Sequence, residues 1–341
     1  MIRDEQLRIG FRADASASIG TGHIERCLTL AGALRRRGCS TTAICASGSA
    51  AFVPHLSAVV DHIVELPHMA AEFDAADPTW LRTDEADDAR ATLAACDPER
   101  FDWLLVDHYG LGATWEAAMR PAADRILVIS DAADRLHECD VLLDQNLQLE
   151  HAGAYRALVP LSAQILAGPS FALLRPEFLV GAEPVPVRAE LRRVLVSCGG
   201  VDAAGATACA LDGLDGSGID VDVVVGARHP DLDAIASRCD AQGWTLHVQT
   251  RRMAELMLAA DLAIGAAGAS SWERCWTGLP SLALVIAPNQ QPIADHLAAA
   301  GAAIPVGEPS TEAAARIRAA LLNLAESPHH LESMSRRAAA L

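Results

Sequence analysis

The feature of this 341-residue sequence that most restricts its fold is a regular alternation of short apolar runs with amphipathic helical runs. In the first half, the predicted strands are 7–13, 41–46, 102–107, 125–130 and 140–143, and the predicted helices are 22–37, 84–96 and 112–120. We expect Thr83 to cap the second of these helices. Nearly continuous apolar strands that alternate with helices are typical of a parallel sheet covered on both faces. The sequence therefore predicts an α/β fold.

The alternation stops at residues 179–190, where two prolines and a lack of periodicity indicate a linker. It then starts again, with predicted strands at 193–197, 221–225, 245–248, 262–264 and 281–285 and predicted helices at 230–238, 252–260, 269–276 and 290–300. We expect two doubly wound Rossmann-like domains that face a central cleft, one over residues 1–178 and one over residues 191–341. Ligands bind such sheets at the carboxyl ends of the strands. The last stretch, 311–340, predicts two polar helices and carries no functional signal.

Charge and composition exclude several classes of protein. The net charge of −17 argues against nucleic acids and anionic membranes as partners, because both attract a basic surface. All 27 basic residues are arginine. Without lysine the chain cannot form a Schiff base with a substrate or with pyridoxal phosphate, and it has no Walker-type P-loop. A small anionic ligand is compatible with this charge, since helix dipoles and a few arginines can hold it locally.

The nine cysteines are scattered among apolar residues, and none forms a Cys-x-x-Cys pair. This pattern argues against zinc ribbons and thioredoxin-like sites and predicts buried thiols in a reducing compartment. The N-terminal segment does not resemble a signal peptide, and no apolar run approaches the roughly 18 residues of a membrane span. We therefore expect a cytoplasmic protein. The sequence does not fix the oligomeric state, for which a monomer is the simplest expectation.

The first candidate site follows the first predicted strand, where a loop rich in serine and glycine leads into a helix. The N–H groups of such a helix N-terminus suit a phosphate or another anion, and Gly20 and Gly22 let the backbone approach it. The same loop places Asp14 at the end of the strand and His23 in the first helical turn. There the positive end of the helix dipole favours a neutral imidazole, which could act as a general base. Alternatively, His23 only caps the helix or binds a phosphate.

The second candidate site is the sequence Asp107-His108-Tyr109, which ends a buried apolar strand. Three adjacent polar side chains have little packing reason to occur there, and parallel sheets bind ligands at this end of their strands. We expect them to contribute to a substrate site. The alternative is a loop in which Asp107 caps the following helix.

A third candidate site lies in the second half, where small residues after a strand lead into another helix. Gly268 precedes Ser270 and Ser271, which open the helix, and Glu273 lies in its first turn. The small residues permit a phosphate at the helix N-terminus, and the carboxylate could accept hydrogen bonds from two ribose hydroxyls. The alternative is an ordinary capping arrangement of serine and glutamate.

Two weaker signals follow other strands of the second half. Gly199 and Gly200 form a turn that lets the backbone come close to a ligand. Asn289 and Gln290, after another apolar strand, would add amide donors to the same cleft.

In this order and spacing, the motifs resemble the nucleotide-sugar hydrolases of pseudaminic acid biosynthesis, which act on UDP-2,4-diacetamido-2,4,6-trideoxy-β-L-altropyranose. More loosely, they are similar to the muramyl-pathway N-acetylglucosaminyltransferases. The motifs that carry the resemblance are Arg-x-Asp-x-Ser…Ile-Gly-x-Gly-His-x-x-Arg over 12–26, Asp-His-Tyr-Gly from 107, Gly-Gly-x-Asp from 199, Ala-Gly-Ala-Ser-Ser-Trp-Glu over 267–273 and Asn-Gln at 289–290. The resemblance extends from about residue 8 to about residue 305.

The resemblance implies a glycosyltransferase-B fold in which the second domain holds most of the UDP. It implies that His23 is the base that activates water and that Asp14 and Tyr109 shape the sugar site. The other matched positions are implied to contact the nucleotide: Gly22 at the diphosphate, Ser270 and Ser271 at a phosphate, Glu273 at the ribose hydroxyls and the backbone near Met253 at the uracil. The family's usual threonine in Gly-Gly-Thr-Asp is Val201 here, so a hydroxyl contact from that position is lost.

The implied reaction is hydrolysis at the anomeric carbon with inversion, which releases UDP and the free sugar and needs no metal and no cofactor. Inversion requires a base opposite the leaving group and room for one water, and helix N-termini can stabilise the departing diphosphate. Two alternatives stay open: an inverting glycosyltransferase with a UDP-N-acetylhexosamine donor, and a non-catalytic protein that binds nucleotide sugars. The Gly-Thr-Arg-Pro-Glu signature of hydrolysing epimerases is missing, and no Gly-x-Gly-x-x-Gly of a dinucleotide enzyme follows the first strand.

Overall fold

The computed structural model describes residues 6–16, 19–67, 81, 83–96, 100–146, 151–179, 185–202 and 204–341. Within these ranges the chain divides into two compact units, the first ending at Leu173 and the second beginning at Leu174. This division falls a few residues before the boundary predicted at residue 178. Residues 180–184 of the predicted linker lie outside the described ranges.

The first unit is an α/β unit built on one parallel sheet. Its described strands are β1 (Arg8–Arg12), β2 (Ser40–Ala46), β3 (His62–Leu66), β4 (Phe101–Val106), β5 (Ala123–Ile129), β6 (Val141–Asp144) and β7 (Gln164–Ala167). They lie in the order β3-β2-β1-β4-β5-β6-β7. The described helices are α1 (Gly22–Arg36), α2 (Leu56–Val59), α3 (Glu85–Cys96), α4 (Ala113–Met119) and α5 (His151–Tyr155).

Apolar side chains cover both faces of this sheet, which explains why its central strands are nearly continuous apolar runs. Leu104 and Ile126 pack with Trp115 of α4, and all three side chains are fully buried. Phe11 and Leu105 belong to a separate buried cluster with residues of α1 and α2. The strand order reverses between β1 and β4, so the carboxyl ends of these two strands form the switch point where such sheets bind ligands.

The sequence does not predict the two edge strands of this sheet, β3 and β7. Their side chains are mostly exposed or half-buried, so these strands lack the apolar runs that mark the central ones. The cap predicted for α3 is also wrong. The Asp84 carboxylate, rather than the Thr83 hydroxyl, accepts the Asp87 N–H of the first turn, at 2.7 Å.

The second unit repeats this architecture with a six-stranded parallel sheet in its described residues. Its strands are β8 (Arg193–Ser197), β9 (Asp220–Val225), β10 (Thr245–Val248), β11 (Leu262–Ala266), β12 (Ser281–Leu284) and β13 (Ala303–Gly307), in the order β10-β9-β8-β11-β12-β13. Its helices are α6 (Pro176–Leu179), α7 (Ala206–Leu214), α8 (Leu232–Gln242), α9 (Met253–Ala259), α10 (Ser270–Trp276), α11 (Gln291–Ala299), α12 (Thr311–Glu326) and α13 (Pro328–Ala339). The switch point of this sheet lies between β8 and β11.

The two helices predicted at 311–340 are present as α12 and α13, and they help to close the second core. Ile317 of α12 packs so tightly on α7 that a Cβ on Gly213 would lie 2.5 Å from its Cγ2. Leu331 and Met334 of α13 are buried in the same cluster. These two helices are therefore polar on one face and apolar on the other. Their apolar faces have a structural role in the second core, although the apolar signal in their sequences is weak.

All nine cysteines lie in the described ranges and are buried, as the sequence predicts. Burial raises the pKa of Cys45, Cys139 and Cys275 to about 12. In the part of the chain that the structure describes, no helix combines the length and the apolar character that a membrane span requires.

Candidate active site

The switch point of the first unit begins with the sharp loop between β1 and α1. Ser16 and Gly20 form an antiparallel bridge, so the backbone folds back on itself before the helix starts. Gly20 has a φ of +78°, a conformation that a side chain would strain, so this turn depends on glycine. Thr21, the N-cap of α1, makes no side-chain cap hydrogen bond. Its side chain therefore leaves the first N–H groups of α1 to other acceptors.

His23, in the first turn of α1, contacts Asp107 at the end of β4. Its Nδ1 lies 2.6 Å from Asp107 Oδ1, and both side chains are buried, Asp107 with no exposed surface. An ionised carboxylate can only accept a hydrogen bond, so Nδ1 carries the proton and Nε2 is the basic nitrogen of the ring. The pair has the arrangement of a histidine base oriented by an aspartate.

Arg26, one turn further along α1, pairs with Asp107. Its Nε donates to Asp107 Oδ2 and its Nη2 to Oδ1, both at 2.7 Å. The same guanidinium reaches Asp131, in the loop after β5, with Nη1 at 2.7 Å and Nη2 at 2.9 Å. Burial alone would raise the pKa of Asp107, but Arg26 and His23 hold that pKa below its usual range. The carboxylate therefore stays ionised at neutral pH.

Tyr109 completes this arrangement from the loop after β4. Its hydroxyl donates to Asp131 Oδ2 at 2.5 Å, and its ring meets the His23 ring edge to face, with centroids 4.7 Å apart. Burial and the Asp131 carboxylate raise the pKa of Tyr109, which keeps it a neutral hydrogen-bond donor. The name His23 cluster is used below for five residues: His23, Arg26, Asp107, Tyr109 and Asp131.

Asp14, which the sequence places in the same candidate site as His23, belongs to a second buried group. Its Oδ1 accepts from Arg12 at 2.5 Å and from the Ala46 N–H at 2.7 Å. Its Oδ2 lies 3.0 Å from His108 Nε2. The reason is the sheet order, because Asp14 leaves β1 between the ends of β2 and β4, whereas His23 lies further along the chain and meets the end of β4.

His108 and Asp88 belong to the same second group. His108 Nδ1 accepts the Gly110 N–H at 3.1 Å, so its Nε2 carries the proton that Asp14 accepts. Burial lowers the pKa of His108 and keeps it neutral at pH 7. Asp88 of α3 accepts from Arg12 Nη2 at 2.8 Å. The Asp14 and His108 side chains, expected at the sugar and substrate site, are thus buried and in contact with each other.

Asp144, at the end of β6, is a titratable group outside the sequence motifs. Its carboxylate accepts the Asn146 N–H and the Tyr155 hydroxyl, both at 2.9 Å. Burial, helped by the nearby Asp131 charge, raises the pKa of Asp144 to about 6. The folded state thus favours the neutral acid over the carboxylate. Its contribution to stability is complete below the unfolded pKa of about 4 and is lost as pH rises through about 6.

We expect Asp144→Asn to increase the free energy of unfolding near pH 8 by up to about 3 kcal/mol and to change it little near pH 4. The amide oxygen of the variant can still accept the Asn146 N–H. Denaturant unfolding of both proteins at the two pH values measures the effect. An equal difference at the two pH values would contradict the raised pKa.

The glycine turn after β8 is shaped by its own aspartate. Gly199 has a φ of +104°, so the turn into Gly200 depends on glycine. The Asp202 carboxylate accepts the N–H groups of Ala206 and Thr207, at 2.9 and 2.7 Å, in the first turn of α7. The N-terminus of α7 thus already holds a carboxylate, and a ligand at this turn would meet the backbone of the two glycines instead.

The turn after β11 contains the predicted phosphate and ribose ligands. Ser270 is half-buried at the start of α10, whereas Ser271 is buried and its Oγ accepts from Arg274 at 2.8 Å. Glu273 is held by an arginine that the sequence motifs do not include. Arg175 donates from Nε to Oε1 at 2.6 Å and from Nη2 to Oε2 at 2.7 Å, a bidentate pair.

Arg175 also connects Glu273 with the start of α9, where Met253 is the first residue. Arg175 Nη1 lies 3.4 Å from Glu177 Oε1, and burial raises the pKa of this carboxyl group while Arg175 and the backbone of Met253 act in the opposite direction. Two positions predicted to contact a nucleotide, Met253 and Glu273, are therefore joined through Arg175 and Glu177 within the second unit.

The other predicted residues of the second unit lie after β11 and β12. Gly268 approaches Gln290 closely, because a Cβ on Gly268 would lie 3.4 Å from Gln290 Nε2. Asn289 and Gln290 lie in a short 3-10 helix, Pro288–Gln290, and Gln290 Oε1 accepts the Ile286 N–H at 3.1 Å.

The predicted site residues thus fall into two sets, one in each unit; those of the first unit lie at its switch point, and those of the second unit follow β8, β10, β11 and β12. The structure adds three residues that the sequence motifs did not assign a role: Arg26, Asp131 and Arg175. Arg26 is three positions after His23 on the same helix face, which is a detectable signal. Asp131 is detectable only as the first polar residue after a predicted strand, and Arg175 has no local signal. In the described ranges, no group of three or more His, Cys, Asp and Glu side chains is arranged to hold a metal ion.

Comparisons with known proteins relate this chain to sugar-nucleotide proteins. Residues 238–341 match the model of the glycosyltransferase family 28 C-terminal domain. The chain is 27% identical over 172 residues to the UDP-2,4-diacetamido-2,4,6-trideoxy-beta-L-altropyranose hydrolase of Campylobacter jejuni, a match that covers 50% of this chain and 53% of that protein. It is 26% identical over 313 residues to the spore coat polysaccharide biosynthesis protein SpsG of Bacillus subtilis, covering 88% of this chain and 84% of that protein.

The fold has a counterpart in a solved structure. The crystal structure of MurG from Acinetobacter baumannii matches with a TM-score of 0.60 and 15% identity, over 97% of this chain and 95% of that chain. The chain has the glycosyltransferase-B fold. The two-domain α/β fold predicted from the sequence is therefore confirmed. Because one fold supports many reactions, the glycosyltransferase-B fold leaves the reaction to be argued from the site.

Proposed function

We propose that this protein is a UDP-sugar hydrolase that cleaves the anomeric C–O bond with inversion and releases UDP and the free sugar. The observation that carries the proposal is the His23–Asp107 pair at the switch point of the first unit, with its 2.6 Å contact. A histidine oriented by a buried carboxylate is a general base suited to activating water. The motif resemblance and the match to the Campylobacter jejuni hydrolase support the same reaction.

His23 Nε2 would accept the proton of the attacking water. Nδ1 stays bonded to Asp107, whose carboxylate stabilises the imidazolium that forms. The water oxygen makes the new bond to the anomeric carbon, and the electron pair of the old C–O bond leaves with UDP. Attack from the face opposite UDP inverts the anomeric configuration.

The departing diphosphate needs donors rather than a second acid. The first N–H groups of α1, next to Gly22, are suited to this task because the Thr21 side chain does not cap them. In the second unit, Ser270 and the small residues around Gly268 are the positions for which the resemblance implies a phosphate contact.

Glu273 would bind the ribose hydroxyls, and the backbone at Met253 would meet the uracil edge, as the resemblance implies. An ionised carboxylate offers about four lone-pair positions. A ribose diol can therefore bind Glu273 while Arg175 keeps its bidentate contact, and Arg175 then fixes the direction in which the carboxylate points.

The proposed substrate is UDP-2,4-diacetamido-2,4,6-trideoxy-β-L-altropyranose, and the proposed pathway is pseudaminic acid biosynthesis. A second candidate is an inverting glycosyltransferase with a UDP-N-acetylhexosamine donor, which the family 28 match over residues 238–341 favours. In both reactions His23 would be the base, and the difference is whether water or an acceptor hydroxyl is deprotonated.

An assay without acceptor separates the two candidates. On incubation with the UDP-diacetamido sugar alone, we expect continuous release of UDP and, by NMR, a free sugar whose first-formed anomer is inverted. UDP release that begins only after an acceptor is added would show a transferase instead. UDP binding without turnover in either condition would show a non-catalytic binding protein.

A further inference from the structure

Asp131 reaches His23 by two routes through the His23 cluster. On one route Arg26 joins Asp131 to Asp107, which holds His23 Nδ1. On the other route the Tyr109 hydroxyl is bonded to Asp131 while its ring packs edge to face on the His23 ring. We propose that Asp131 is a positioning residue that sets the orientation and the proton affinity of His23. This inference rests on the proposed role of His23 as the base.

Asp131 is placed to act through its neighbours rather than on a ligand. Its side chain is 9% exposed. Oδ1 accepts from Arg26 at 2.7 Å and from Asn146 Nδ2 at 2.8 Å, and Oδ2 accepts from Arg26 at 2.9 Å and from Tyr109 at 2.5 Å. Four hydrogen bonds fix both oxygens, so the carboxylate is a rigid charge.

Asp131 affects the proton affinity of His23 through the charge balance of the His23 cluster. Two carboxylates, Asp107 and Asp131, share the single guanidinium of Arg26, which leaves one excess negative charge while His23 is neutral. The imidazolium that forms when His23 takes a proton removes this excess. The cluster therefore favours proton transfer to His23, and it would lose this bias if Asp131 were uncharged. Asp131 and His23 are coupled in the other direction too, because Arg26, Tyr109 and His23 together hold the pKa of Asp131 well below its usual range against the effect of burial.

The Asp131 charge helps to raise the pKa of Asp144, so Asp144 should ionise more readily in Asp131→Asn and offset part of the lost charge. The charged groups near α1 that do not contact Asp131 include the second buried group (Arg12, Asp14, Asp88 and His108), the half-exposed pair of Glu25 with His55 of the segment before α2, and the partly exposed pair of Arg35 with Asp61. In the second buried group two carboxylates also share one guanidinium, so its charge does not depend on Asp131.

Asp131→Asn tests the inference because it removes the charge and keeps the shape. Arg26 would then give its full charge to Asp107. We expect the midpoint of the His23 ring titration, followed by NMR of the ¹⁵N-labelled protein, to fall by roughly one pH unit. The acidic limb of the pH profile of kcat/KM should shift in the same direction. Asp140→Asn is the matched control, since Asp140 also pairs with an arginine of the first unit, Arg120, at 2.6 Å.

A second variant gives an effect of the opposite sign. Asn146→Ala removes a neutral donor whose dipole offsets part of the Asp131 charge, so His23 should feel that charge more strongly and its midpoint should rise. A folded Asp131→Asn protein with the midpoint of the wild type and of Asp140→Asn overturns the inference. If Asp131→Asn does not fold, an Asn146→Ala midpoint that is unchanged or lower overturns it. A lowered midpoint in Asp131→Asn, together with a wild-type protein that does not turn over the UDP-sugar, would instead reject the proposed function and leave the role of Asp131 intact.

Discussion

Replacement of His23 by asparagine should lower the turnover of the UDP-sugar by about 10²- to 10⁴-fold, the usual contribution of a general base. Asparagine can still contact Asp107 but cannot take a proton from water. The loss should fall on kcat, because the base acts in the transition state and the nucleotide is expected to bind mainly to the second unit. Steady-state UDP release without acceptor and calorimetric binding of UDP measure the two effects separately.

Glu273→Gln provides the contrast for the His23 variant. This change weakens the proposed acceptor for the ribose hydroxyls, so UDP should bind less tightly and KM should rise while kcat changes less than in His23→Asn. Wild-type turnover in His23→Asn would mean that His23 only caps α1 or binds a phosphate. If His23→Asn lost as much UDP affinity as Glu273→Gln, this result would also contradict the role of His23 as the base.

Arg12→Met should lower the free energy of unfolding by about 3–5 kcal/mol at neutral pH, which is a large share of the stability of a typical domain. Arg12 is 1% exposed and holds Asp14 and Asp88, and methionine keeps most of its volume without the charge. Two buried carboxylates would then lack their cation. Denaturant unfolding monitored by circular dichroism measures the loss.

The pH dependence of this loss identifies its cause. In the wild type, Arg12 holds the pKa of Asp14 well below its usual range despite burial, so this contribution to stability is complete above the unfolded pKa of about 4. In Arg12→Met the unpaired carboxylates can take up protons, and the deficit should shrink as pH falls from about 7 towards about 5. Arg120→Met, at a pair whose arginine side chain is 30% exposed, should cost no more than about 1 kcal/mol. A deficit of the same size at both sites, or one that is constant with pH, would contradict a buried ionic group.

The sequence predicts most of the fold because the central strands are buried on both faces and their apolar runs are easy to recognise. β4, β8 and β11, at the two switch points, follow this rule, whereas in β1 the apolar side chains are Ile9 and Phe11. The edge strands β3 and β7 escape detection because half of their surroundings is solvent. Prediction of the site from the sequence is limited because contacts between site residues depend on the order of the strands in the sheet. The sequence identifies His23 and Asp107 as polar residues near strand ends, but their pairing depends on β4 lying next to β1 in the sheet.

The two arginines of the candidate site, Arg26 and Arg175, show that sequence reasoning finds local contacts and misses those that depend on the tertiary fold. Arg26 can be found from its spacing to His23, because a helix fixes which side chains share a face. Arg175 reaches Glu273 across 98 positions of sequence, and such a contact exists only after the second unit has folded. Asp14 shows the reverse case, since its position in the sequence suggests a catalytic neighbour of His23, whereas the sheet order turns it towards Arg12 and His108.

Because all nine thiols are buried, the native cysteines should react very little with thiol-labelling reagents. A maleimide reacts with thiolates, and the native cysteines are shielded, several of them with a pKa near 12. The chain also has no lysine side chain to compete for the reagent. Cysteines introduced at the exposed positions Leu161 and Leu322, one in each unit, would therefore carry a dye pair without removal of any native residue. Energy transfer between the two dyes would then measure whether their separation changes when UDP is added.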